Sequence, residues 1–163
     1  MGYKLDFSRI IKDHIKTIIN DNTGKPDGRD WFFFVLLPII VSTFLVRYRI
    51  FLDSNYINAI ISGLSIYVGL SLNLVVLLFE IVQKENTTDL KLSFAKDVIA
   101  NISFTVILSI LTIVFSLLTQ IDINHYYKCI TNWITYFLVS EMLISVLLLV
   151  RNMYFQMLDQ IKK

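Results

Sequence analysis

The chain is poor in charge, cysteine, proline and glycine, and each shortage narrows what it can be. There is one cysteine, Cys129, so no disulfide can close within the chain. An inert thiol at a helix end and an intermolecular bridge both stay open. Charged residues make up 17% of the 163 positions, against about 25% in a soluble domain. A soluble helical core needs a polar face on every helix, and the longest apolar runs lack one. Metal- and nucleotide-binding signatures are missing as well: there is no EF-hand, P-loop, HExxH, CxxC or Gly-x-Ser-x-Gly pattern. No catalytic residue, metal or cofactor is therefore expected, and the chain does not read as an enzyme.

What remains is hydrocarbon. Hydrophobic residues make up 55% of the chain and the mean hydropathy is +0.63. Two runs carry no charge for 24 residues each, Tyr56 to Phe79 and Val98 to Ile121. A third, Cys129 to Val150, has a single charged residue, Glu141. Uncharged runs of about 18 or more residues read as bilayer spans. The first apolar run is shorter, Trp31 to Val46, before Arg47. It reaches about 20 residues if Arg47 and Arg49 snorkel to the interface; a re-entrant element is the alternative. The expected fold is all-α and polytopic, with spans at about 31–50, 56–79, 98–121 and 129–150. Residues 1–30 form a cytoplasmic amphipathic helix and linker, and 151–163 a cytoplasmic tail. No small-residue cleavage site follows the first apolar run, so no cleavable signal is expected. Asp6 stands where myristoylation needs Ser or Thr.

Lysine and arginine set the orientation. Twelve fall in the N-terminal segment, the loop 80–97 and the C-terminal tail; three (Arg47, Arg49 and Lys128) fall on the other side. The positive-inside rule places both termini in the cytoplasm. The two external loops are then too short to fold alone. A soluble partner is expected on the cytoplasmic side. Residues 3–20 have helical periodicity, with Lys4, Arg9, Lys12 and Lys16 on the polar side. They suit lipid headgroups or a protein docking surface equally. His14 lies near the apolar stripe and reads as a boundary residue. Gly24, Pro26 and Gly28 break the chain before the first span, which Trp31 opens as an interfacial aromatic. In the middle loop, Asn86 to Asp89 reads as a turn, with Thr87 or Thr88 capping the next helix.

Polar and small residues inside the spans are the candidate sites. Pro38 predicts a kink or a hinge in the first span. In the second, Ala59 with Gly63 and Ser65 with Gly69 are small pairs one turn apart, which permit close helix packing. Asn73 needs a partner in hydrocarbon and is expected to face protein. In the third, Asn101, Thr105, Ser109, Thr112, Ser116 and Thr119 lie on one helical face. That stripe is either a packing face, each hydroxyl bonding its own helix, or the lining of a water path. In the fourth, Glu141 lies roughly 15 Å from either end of its run, with Ser145 one turn on. No lysine or arginine lies at its depth, so it is expected as the neutral acid, which donates a hydrogen bond. An interhelical bond and a pore-facing or cation-responsive site both stand. A lone acid with no base, nucleophile or metal beside it is no catalyst.

The phrases GRDWFFFVLLPII (28–40), LNLVVLLFEI (72–81) and ANISF (100–104) resemble small four-helix inner-membrane proteins of bacterial phage-defence islands, in particular the membrane component of the Kiwa system. The resemblance covers most of the chain, although no phrase is a diagnostic motif. It implies a homo-oligomeric inner-membrane sensor or scaffold of phage attack that works with a cytoplasmic DNA-binding partner, without touching nucleic acid itself. The alternative is a pore-forming or membrane-depolarising effector, a small ion channel.

Overall fold

The computed structural model describes residues 32–83, 89–121 and 123–161. The expected amphipathic helix with Lys4, Arg9, Lys12 and Lys16, the linker with Trp31, and the turn at 86–88 lie outside them. The described chain is all helix. A π-helical turn, Phe32–Leu36, runs into α1, Leu37–Arg47. Then come α2, Ser54–Gln83, α3, Asp89–Leu118, and α4, His125–Ile161. Three helices contain stretches long and apolar enough to cross a membrane: Ser54–Glu80, Ala95–Leu118 and His125–Arg151.

The first element departs from the sequence reading. Its helical residues end at Arg47, where a helix reaching residue 50 was expected. The backbone explains the stop. Tyr48 N–H bonds to Phe44 O, Arg49 N–H to Val46 O and Ile50 N–H to Leu45 O. The last two bonds form a Schellman cap, and Arg49 takes the left-handed conformation it demands, with φ 55°. From Phe32 to Arg47 the element spans about 24 Å at 1.5 Å per residue, short of the ~30 Å hydrocarbon layer. Pro38, where a kink or hinge was expected, lies within this continuous helical run. It sits at the first turn of α1, directly after the π-helical turn. There its missing N–H costs no α-helical hydrogen bond, and the wider turn before it absorbs the change of register.

Two side chains start the long helices after the short loops. Asp53 Oδ1 accepts the Tyr56 N–H at 2.9 Å, and Asn124 Oδ1 accepts the Tyr127 N–H at 2.7 Å. Both are N-caps, each satisfying a donor the helix cannot.

The main helix pairs are α2 with α3, α3 with α4, and α4 with α1. Thus α1 and α2 follow each other in sequence without being principal packing neighbours. On α2 the buried positions are Ile57, Leu64, Ser71 and Leu78. Their seven-residue spacing gives a seam that stays on one side of the helix. At the end away from the short loops, Leu78, Val98, Ile102 and Leu149 close the apolar core. The outer surface is apolar too, with Ile66, Leu70, Val114, Leu117, Leu143 and Leu147 all exposed. An apolar exterior around a polar interior is the arrangement a bilayer requires.

Candidate functional site: a polar interior between the long helices

Beside the apolar core, the buried face of α3 carries a stripe of hydroxyls. Thr105, Ser109, Thr112 and Ser116 are 0% exposed, and Asn101 and Thr119 are buried with them. The facing side of α4 buries Thr131, Thr135, Leu138, Met142, Ser145 and Leu149. These fall at alternating spacings of four and three, the pattern of a packing seam.

Most of these hydroxyls are satisfied within their own helix. Thr105 Oγ1 donates to Ile102 O at 2.9 Å, Ser109 Oγ to Thr105 O at 2.8 Å, and Thr112 Oγ1 to Leu108 O at 2.7 Å. On α4, Thr135 Oγ1 donates to Thr131 O at 2.9 Å. Ser42 on α1 does the same, to Pro38 O at 2.7 Å. Back-bonding of this kind lets a small polar residue sit at a helix contact without a partner across it. Thr105 also reaches across: Tyr67 Oη and Thr105 Oγ1 lie 2.7 Å apart and join α2 to α3.

Three interior atoms break the pattern. Ser116 Oγ, Glu141 Oε2 and Ser145 Oγ are buried with no hydrogen-bond partner. Glu141 stands at the edge of the α4 seam and Ser145 lies within it, one turn further on. The cluster of Val98 and Ile102 with Leu149 fixes their level. Eight residues before Leu149 on the antiparallel α4 corresponds to eight after Val98 or Ile102 on α3. Glu141 is therefore level with residues 106–110, and Ser145 with 102–106, where Thr105 meets Tyr67.

The outward face of α2 holds the remaining candidates. Ala59, Gly63, Ser65 and Gly69 are exposed, and a Cβ at either glycine would meet nothing within 4 Å. Among the described residues, no other helix covers these small residues. Asn73, expected to face protein, is exposed on the single chain as well. The physical reason is its phase: it lies opposite the Leu64, Ser71 and Leu78 seam on a helix turning 100° per residue.

A second polar centre lies at the short-loop end and was not read from the sequence. Asn132, fully buried, accepts the Leu52 N–H on Oδ1 at 2.9 Å and donates from Nδ2 to Lys128 O at 2.8 Å. It ties the 48–53 loop to α4. Trp133 Nε1 donates to Thr43 Oγ1 at 3.1 Å and Tyr136 Oη to Ile50 O at 3.0 Å. Lys128 Nζ lies 6.0 Å from the Phe51 ring centre. The Asn132 amide within an apolar run was the available signal. Cys129 Sγ lies 3.7 Å from His125 Nε2, one turn back on the same helix. Among the described residues no group of three His, Cys, Asp or Glu is placed to hold a metal.

No family model, characterised protein or solved structure matches this chain. The class that fold and site define is an all-α, multi-pass membrane protein with a polar interior.

Proposed function

We propose that this chain is the subunit of an oligomeric bacterial inner-membrane sensor or scaffold in antiphage defence, without enzymatic activity, which acts through a cytoplasmic partner. The observation that carries the reading is the closed polar interior. The hydroxyl stripe of α3 is covered within one chain and largely spends its donors on its own helix, which suits a packed signalling bundle better than a water path. The charge bias supports four crossings with both termini in the cytoplasm. In that topology α1 crosses as the short fourth element, its polar loop end held at the outer surface by Asn132. The defence role rests on the resemblance of residues 28–40, 72–81 and 100–104.

The experiment is affinity purification of the tagged full chain from its native host in mild detergent. A defined cytoplasmic protein should copurify, and deletion of residues 1–20 should release it and abolish protection against phage. Absence of both effects sinks the proposal. An ion-conducting effector is the second reading, favoured by the unpartnered Glu141 Oε2 in the interior. It predicts conductance in reconstituted vesicles that Glu141→Ala alters.

A further inference from the structure

Glu141 and Ser145 share an arrangement that packing alone does not explain. Most buried serines and threonines in the interior bond a carbonyl three or four residues back, as Ser109, Thr112, Thr119 and Thr135 do; Ser116 is the other exception, with no acid one turn away. Ser145 has the same option, the carbonyl of Glu141, yet its hydroxyl is unpartnered at 2% exposure. One turn away, Glu141 Oε2 is also buried and unpartnered. Residues at i and i+4 project from one face of a helix, so the two orphaned oxygens lie on one side of α4. At this level α3 brings Thr105, hydrogen-bonded to Tyr67. An unpartnered polar atom in a low-dielectric interior is costly, and two of them one helical turn apart on α4 invite a shared partner.

The charges define that partner. No lysine, arginine, aspartate or glutamate occurs in 54–79, 98–121 or elsewhere in 129–150, nor in 31–46 of the first element. The carboxylate therefore has no countercharge within the apolar stretches packed around it; the cations of these helices, such as Arg47, Lys96, Lys128 and Arg151, lie towards their ends. One carboxylate is neutralised by one unit of positive charge; a divalent ion would leave an excess charge in hydrocarbon, which is expensive. Carboxylate and hydroxyl are hard oxygen donors and prefer hard cations.

We propose that Glu141 and Ser145 form an interior oxygen site for one small alkali cation, of sodium-like size and hardness, which competes with the proton for the Glu141 carboxylate. The site is built by one chain, so it stands or falls separately from the sensor reading. Proton and cation are alternative occupants, each leaving the interior neutral.

The test uses dicyclohexylcarbodiimide on the full chain in detergent. The reagent is lipophilic and reacts with a protonated buried carboxyl. The acid proton moves to a carbodiimide nitrogen and the carboxyl oxygen adds to the central carbon. Acyl migration from oxygen to nitrogen then leaves an N-acylurea that retains every atom of both reactants. Sodium chloride should slow labelling of Glu141 about tenfold at ten times its dissociation constant, because occupancy follows mass action. Choline chloride at equal ionic strength should not slow it. Ser145→Ala should retain labelling in choline and weaken the sodium protection. Labelling that sodium and lithium leave unchanged, or that choline suppresses equally, overturns the proposal. Sodium-dependent thermal stability provides a second reading if Glu141 proves unreactive. Wild type should gain stability in sodium over choline, and Glu141→Gln should lose that gain. A wild type with no such gain overturns the proposal as well.

Discussion

Asn132 offers the sharpest quantitative test of the architecture. Replacing it with leucine keeps most of the side-chain volume but removes both hydrogen bonds. Lys128 O loses little, since a carbonyl within a helix retains a backbone donor. The Leu52 N–H loses its acceptor in a turn that joins α1 to α2. An orphaned buried donor costs about 1–3 kcal/mol. Leu52 is only half-buried, so water can recover part of this, and we expect about 1–2 kcal/mol from the same range. Asn132→Ala adds an unfilled volume and should cost about 1 kcal/mol more. The measurement is reversible unfolding in mixed micelles as denaturing detergent is added. Limited proteolysis in parallel should show cleavage within residues 48–53 before global unfolding, because the tether holds a local unit. If Asn132→Leu unfolds with wild-type energy and its loop stays resistant, the tether is not structural and the reasoning fails.

Three other substitutions probe separate parts of the fold. Thr112→Val is nearly isosteric and removes a hydroxyl bonded only to its own helix; unfolding should change by less than about 1 kcal/mol, and a larger loss would reveal a partner across the interface. Arg49→Gly relieves the left-handed backbone at φ 55° and should raise stability by about 1 kcal/mol; an unchanged unfolding midpoint contradicts that. Gly69→Ala meets no neighbour and should stabilise the isolated chain by about 0.8–1 kcal/mol through helix propensity. Crosslinking of the same variant in membranes reports whether another molecule covers that face, since an added methyl would then weaken self-association.

The long helices were legible because their signal is additive: twenty-odd uncharged residues leave no alternative to burial in lipid. The α3 stripe was legible for a similar reason, its spacing being a property of one helix alone. The first element was not. Whether a 16-residue run continues past Arg47 depends on a cap in which an arginine adopts a glycine conformation, and no local propensity predicts that. The π-helical turn before Pro38 was not legible, because local propensity does not separate it from an α-helical turn. Asn73 and the small residues of α2 were read as facing protein or packing on a helix, but their chemistry does not say which helix. Which side of α2 meets α3 is set instead by the heptad of Ile57, Leu64, Ser71 and Leu78, whose continuity outweighs one amide. Asn132 was missed because its partner is a backbone N–H 80 positions away. The N-caps at Asp53 and Asn124 were not read from the sequence, although an Asp or Asn shortly before an apolar run is a known start signal.

The helices differ in where they stop. At one end two side-chain caps and the Asn132 tether close the short loops. At the other, α4 runs on to Ile161, 37 residues in all, or about 55 Å. Such a rod is a lever with its fulcrum at the tethered end. A tilt of about 5° there carries the far terminus of a 55 Å rod through about 5 Å, close to one helical turn. A tilt too small to unpack a single interior hydroxyl would thus arrive at the far terminus of α4 as a displacement of about one helical turn.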